Sequence, residues 1–99
     1  MGGPVYTVEE MLARLVAFDT TSHKTNIPII EFIESYLRGH GVDSVRVPTP
    51  DGLKASLFAT IGPAGIGGIA LSGHTDVVPV TSQAWDTDPF TLVERDGKL

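Results

Sequence analysis

The sequence predicts an α/β fold, a mixed sheet flanked by helices, and three observations predict it. Two stretches near the start repeat apolar residues at helical spacing, and two later stretches alternate apolar with polar residues as strands do. A short apolar run, Gly67-Gly68-Ile69-Ala70-Leu71, then breaks into Ser72-Gly73-His74-Thr75-Asp76. That is the pattern of a central strand buried on both faces and ending in polar residues.

The first helix is expected from Thr7 to Phe18. Thr7 and Glu10 have capping-box spacing, and Val8, Met11, Leu12, Leu15 and Val16 fall on one helical face. Met1-Gly2-Gly3-Pro4 before it reads as a flexible start. Asp19 to Asn26 reads as a polar loop in which His23 is a solvated residue. The second helix is expected from Ile27 to Arg38, with Asn26 as cap and Pro28 in the first turn, where no amide hydrogen is needed. Ile29, Phe32, Ile33, Tyr36 and Leu37 would be its buried face, with Glu31, Glu34 and Arg38 in water and Glu34 four residues before Arg38. Gly39 and Gly41 should end it in left-handed conformations, with His40 a residue of the cap region.

Val45 and Val47 alternate with Ser44 and Arg46, a strand whose wet face carries Ser44 and Arg46. Pro48-Thr49-Pro50-Asp51-Gly52 is a turn by composition. Ala55, Leu57, Ala59 and Ile61 alternate with Ser56, Phe58 and Thr60 as a second strand. Gly62 to Gly65 turns the chain into the central strand, expected to be its antiparallel neighbour. Beyond Asp76, Val77-Val78-Pro79-Val80 should pack beside the strand end, and Trp85 and Phe90 should anchor the loop by packing. Asp88 before Pro89 starts a turn. Thr91-Leu92-Val93-Glu94 is a last strand, and Asp96-Gly97 signals a hairpin.

Composition narrows the function classes. A chain of 99 residues with 41% apolar content forms one domain at most and can pack a core. Twelve acidic against seven basic residues give a net charge of −5, and no basic stripe is present, which argues against a nucleic-acid partner. The absence of cysteine excludes disulfides and thiolate metal sites. No apolar run is long enough to span a membrane, so a cytoplasmic protein is expected.

The residues with chemistry sit at the end of the central strand, where open α/β sheets gather their ligands. His74 and Asp76 are two apart, so on extended backbone they project to the same side. An imidazole and a carboxylate so placed suit a metal ligand and the acid that orients it. A surface histidine beside a turn aspartate has the same spacing, and spacing alone leaves both readings open. Asp86 and Asp88 are further acids within reach in sequence; His23 and His40 have no partner in the pattern.

Leu71-Ser72-Gly73-His74-Thr75-Asp76-Val77-Val78-Pro79, then Trp85, Asp88-Pro89-Phe90 and Asp96-Gly97-Lys98-Leu99, resembles the start of the two-zinc amidohydrolases. This peptidase and deacylase family includes acetylornithine deacetylases and succinyl-diaminopimelate desuccinylases. The resemblance implies that residues 1–99 are the amino-terminal part of a zinc-aminopeptidase-like catalytic domain, cut before the second arm of the last hairpin. It implies a metal-ligand role for His74 and a catalytic positioning role for Asp76, which would hold that imidazole. It further implies two zinc ions per active site, with cobalt as an alternative. The bridging aspartate, the glutamate base, the remaining ligands and a homodimerisation domain would lie beyond Leu99. The implied substrate is a small N-acyl amino acid, with Leu57 to Pro63 and Asp88 to Gly97 resembling the deacetylases that convert N-acetyl-ornithine to ornithine and acetate in arginine biosynthesis. A desuccinylase or a related dipeptidase is the alternative enzyme, and a non-catalytic α/β interaction module the alternative outside enzymes. The 99 residues alone are expected to be inactive.

Overall fold

The structure, a computed structural model, describes residues 2–99. Two helices, α1 (Val8–Val16) and α2 (Ile27–Gly39), precede a hairpin of β1 (Ser44–Pro48) and β2 (Ala55–Ala59). The Cα radius of gyration is 15.7 Å, above the roughly 13 Å of a compact domain of this length. Much of the second half of the chain therefore lies outside a shared core.

Helix α1 begins with the capping box its sequence predicts. The Thr7 amide donates to Glu10 Oε1 at 2.8 Å, and the Glu10 amide donates to Thr7 Oγ1 at 3.1 Å. These bonds satisfy two of the free first-turn amides and hold the Glu10 carboxyl below its ordinary pKa. Val8 is not on the packed face; it is 87% exposed. Leu15 and Phe18 carry the contact with the core. Gly3 and Pro4 are docked rather than free: the Gly3 amide donates to Gly39 O at 2.7 Å, and His40 Nε2 meets Pro4 O at 2.9 Å. Met1 lies outside the described residues. Tyr6 stacks on Tyr36 at 5.7 Å between centroids, so the segment before α1 is laid along α2.

Helix α2 carries the core. Ile29 and Ile30 are 4% and 3% exposed and, with Ala55 of β2, are the buried apolar residues among those described. Ile30 is not on the predicted face, yet it is buried in the same cluster as Ala55 of β2. Asn26 precedes α2 but its side chain does not cap it. The first-turn amide of Ile27 instead donates to Thr25 Oγ1 at 3.2 Å. The Asn26 amide group is engaged across the fold: Nδ2 donates to Ala55 O and Oδ1 accepts from Ala55 N, each at 2.9 Å. Asn26 thus imitates a strand partner at the free edge of β2. Asn26→Ala in the full-length protein should cost about 2 kcal/mol, since each half-buried bond contributes about 1 kcal/mol net. A lowered urea midpoint with unchanged steepness checks it; an unchanged midpoint refutes it. Gly41 ends the helix in the left-handed region at φ 77°, whereas Gly39 is its last helical residue.

β1 and β2 pair antiparallel in a register that sets Arg46 opposite Leu57 and Val45 opposite Phe58. The faces of β1 are reversed from the sequence expectation. Arg46 turns toward α2, where Nε donates to Glu34 Oε2 at 3.0 Å; the guanidinium holds the Glu34 carboxyl below its ordinary pKa. Glu34 therefore pairs across the fold rather than with Arg38. Val45, Val47 and Phe58 form the outer face and are 57–65% exposed. The helix can cover only one side of a two-stranded ribbon, and Ala55 and Leu57 on β2 commit that side.

The predicted central strand does not form. Residues 67–76 carry no strand hydrogen bonding, and Ile69 and Leu71 are 92% and 96% exposed. A parallel or central strand is stable only when neighbours on both sides take up its amides and carbonyls, and β2 stands alone on that side. The mixed sheet is accordingly a single hairpin, which retains the coarser α/β character. Nor does Thr91 to Glu94 form a strand, but the turn after it does: Arg95 and Lys98 form an antiparallel bridge across Asp96 (φ 54°) and Gly97 (φ 74°). Two consecutive left-handed residues are the hairpin geometry that Asp-Gly favours.

Candidate functional site

His74, Thr75 and Asp76 lie at one wall of an open cavity of about 670 Å³, whose other wall includes Ile30, Ile33, Ala55 and Leu57. His74 and Asp76 meet as their spacing predicts. His74 Nδ1 lies 2.9 Å from Asp76 Oδ1 and 3.1 Å from the Asp76 backbone oxygen. A carboxylate and a carbonyl oxygen only accept, so Nδ1 carries the hydrogen and donates to both. Nε2 has no hydrogen-bond partner among the described residues and faces outward on an imidazole whose side chain is 82% exposed. An exposed pair of this kind contributes little to stability. Its consequence is orientation: tautomer and ring plane are set by Asp76, the arrangement that metal-binding histidines share with an outer carboxylate.

What holds this short segment is the loop after α1, which the sequence marks only as polar. Thr20 and Thr21 are the buried polar residues among those described, 6% and 4% exposed. Thr20 Oγ1 donates to Thr75 O at 2.6 Å. The Val77 amide donates to Thr20 O at 3.2 Å and the Ser22 amide to Val77 O at 2.9 Å, giving a parallel bridge between Thr21 and Val77. Asp19 ties the loop from below, its Oδ1 accepting from Thr21 Oγ1 at 2.6 Å and from the Thr21 amide at 3.1 Å. The ion pair with Lys24, then these bonds from Thr21, bring the Asp19 carboxyl down to about 2. A sequence signal was present: Asp two residues before Thr is the pattern of an Asx turn.

The other candidates do not join His74. Asp86 pairs with Arg95 Nη1 at 3.0 Å, and Asp88 Oδ1 accepts from the Phe90 amide at 2.9 Å, starting the predicted turn. His23 is exposed, and the His40 ring lies tilted against the Tyr36 ring, 4.7 Å between centroids. Trp85 is 51% exposed and Val78 71% exposed, so neither is the packing residue expected of it; Phe90 and Val80 are half-buried. With few neighbours from the second half of the chain, these side chains have no core to enter.

Among the described residues no group of three His, Cys, Asp or Glu side chains is placed to hold a metal ion. A zinc site takes three or four protein ligands. These residues fit one arm of such a site, an oriented imidazole with a free nitrogen, and do not fit a complete one.

No family model and no solved structure matches the chain. Curated proteins do. The chain is 43% identical over 84 residues to an acetylornithine deacetylase of Photorhabdus laumondii, covering 84% of this chain and 22% of the relative. It is 40% identical over 85 residues to the acetylornithine deacetylase of Proteus mirabilis, covering 84% of this chain and 21% of that one. With the acetylornithine deacetylase of Myxococcus xanthus the identity is 40% over 93 residues, 89% of this chain and 24% of the relative. The chain thus spans between a fifth and a quarter of the length of the curated relatives it matches. Five curated acetylornithine deacetylases match at 36–43% identity over 77–91% of these 99 residues, so the chain is similar to a part of the acetylornithine deacetylases.

Proposed function

We propose that the full-length protein is a metal-dependent amide hydrolase that converts N-acetyl-ornithine to ornithine and acetate, a step of arginine biosynthesis. The observation that carries the reading in this chain is the His74–Asp76 pair, with Nδ1 committed to the carboxylate and Nε2 free. In this reading His74 supplies one metal ligand and Asp76 fixes its tautomer, and residues 1–99 are the amino-terminal part of the catalytic domain. Zinc, when bound, would polarise the amide carbonyl and lower the pKa of the attacking water. The remaining ligands and the general base come from outside these residues. A homodimer in the cytoplasm, with a small N-acyl amino acid as substrate, completes the proposal.

The test is an assay of the purified full-length protein with N-acetyl-ornithine and N-succinyl-diaminopimelate, before and after chelation. Acetate release that chelation abolishes and zinc restores is the expected result. Preference for the succinylated substrate would move the protein to the desuccinylases, and turnover that survives complete metal removal would overturn the metal reading.

A further inference from the structure

The loop after α1 has no assigned role, yet it holds the two buried polar side chains described in the structure, and one of them is bonded to the segment between His74 and Asp76. We propose that Thr20 is a positioning residue whose hydroxyl, on the Thr75 carbonyl, sets where the His74 imidazole points. This rests on the reading of His74 as a metal ligand.

The geometry carries it in three steps. Residues 67–74 are exposed and belong to no strand, so regular structure does not hold His74 in place from the amino-terminal side. Immediately after Asp76, Val77 is clamped through both its amide and its carbonyl to Thr20 and Ser22. Between these, the peptide linking Thr75 to Asp76 is held by one side chain, Thr20, at 2.6 Å and fifty-five residues away in sequence. The direction of that carbonyl fixes the plane of the Thr75–Asp76 peptide, and hence the position from which the Asp76 carboxylate receives Nδ1–H. Thr20 is 6% exposed, so its hydroxyl has little access to water that could replace this acceptor. Asp19, through Thr21, keeps the loop in the conformation that presents Thr20.

Thr20→Val keeps the volume and branching of the side chain and removes only the donor, and Thr20→Ser keeps the donor. In the full-length protein, Thr20→Val should weaken zinc binding about 10-fold, the lower end of what losing an outer partner costs, and Thr20→Ser should restore it. Amide exchange at Val77 in the metal-free protein should quicken in the valine variant alone, and the thermal midpoint should fall by no more in valine than in serine plus a few degrees. Zinc affinity in Thr20→Val equal to wild type, with His74→Ala having lost it, overturns the positioning role while the metal reading stands. If His74→Ala keeps wild-type zinc affinity, the metal reading fails, and unchanged Val77 exchange in Thr20→Val then overturns the positioning role as well. If the valine variant does not fold, Thr20→Ser decides: a loss of zinc affinity as large as that of His74→Ala would show that the hydroxyl is not what matters.

Discussion

Replacing His74 with alanine in the full-length protein is expected to leave a folded, metal-depleted and nearly inactive protein. The imidazole is 82% exposed and makes no packing contact that stability depends on, so its removal should not disturb the helices or the hairpin. What it removes is the one free nitrogen that the Asp76 contact holds ready, and the loss should exceed the roughly 10–100-fold typical of an outer partner. His23→Ala and His40→Ala are the controls. His23 is exposed in the loop, and His40 is occupied by Pro4 O and the Tyr36 ring, so each variant should keep activity within a few-fold. Elemental analysis of the purified variants reads the outcome directly. Full zinc occupancy in His74→Ala would mean that a different histidine binds the metal.

The second large effect is expected at Asp76. Asp76→Asn preserves shape and can still offer an amide oxygen to Nδ1–H, but it removes the charge that stabilises a donating imidazole. The Asp76 backbone oxygen also receives Nδ1, at 3.1 Å, and no substitution removes it. The asparagine variant should therefore lose about 10-fold in zinc affinity or kcat/KM, and Asp76→Ala closer to 100-fold, within the range seen when an outer carboxylate is lost. Both should unfold at the wild-type temperature within a few degrees, because the pair is on the surface. Wild-type kinetics and zinc affinity in Asp76→Ala would sink the assignment.

Local rules read from the sequence hold wherever the interaction is local. The capping box of Thr7 and Glu10, the start of α2, the two strands with a turn between them and the Asp96-Gly97 turn each depend on residues a few positions apart, and each is found in the structure. The contact between His74 and Asp76 is legible for the same reason: two residues of spacing suffice to bring the groups together. The metal role of His74 is not local, since the other ligands must come from elsewhere, and it stays with the proposal.

Readings that needed a neighbour came out differently. Gly67 to Leu71 has the composition of a buried central strand, but composition supplies no partner, and without one its amides face water and Ile69 and Leu71 stand exposed. Val45 and Val47 alternate correctly for a strand, yet period two cannot say which face meets the helix; Leu57 on the paired strand and Glu34 on α2 decided that. Asn26 has the composition of a cap and is used instead to complete the edge of β2.

The sequence by itself determined the elements with short-range signals, the nearness of His74 to Asp76 and, through motif order, the resemblance to the acetylornithine deacetylases. Only the tertiary structure decided that Thr20 reaches across the chain to Thr75 and that Asp19 braces the loop behind it. The reason is range: a hydrogen bond between residues fifty-five positions apart leaves no periodicity or spacing to read, and it exists only once the loop after α1 and the segment after Leu71 have been brought side by side.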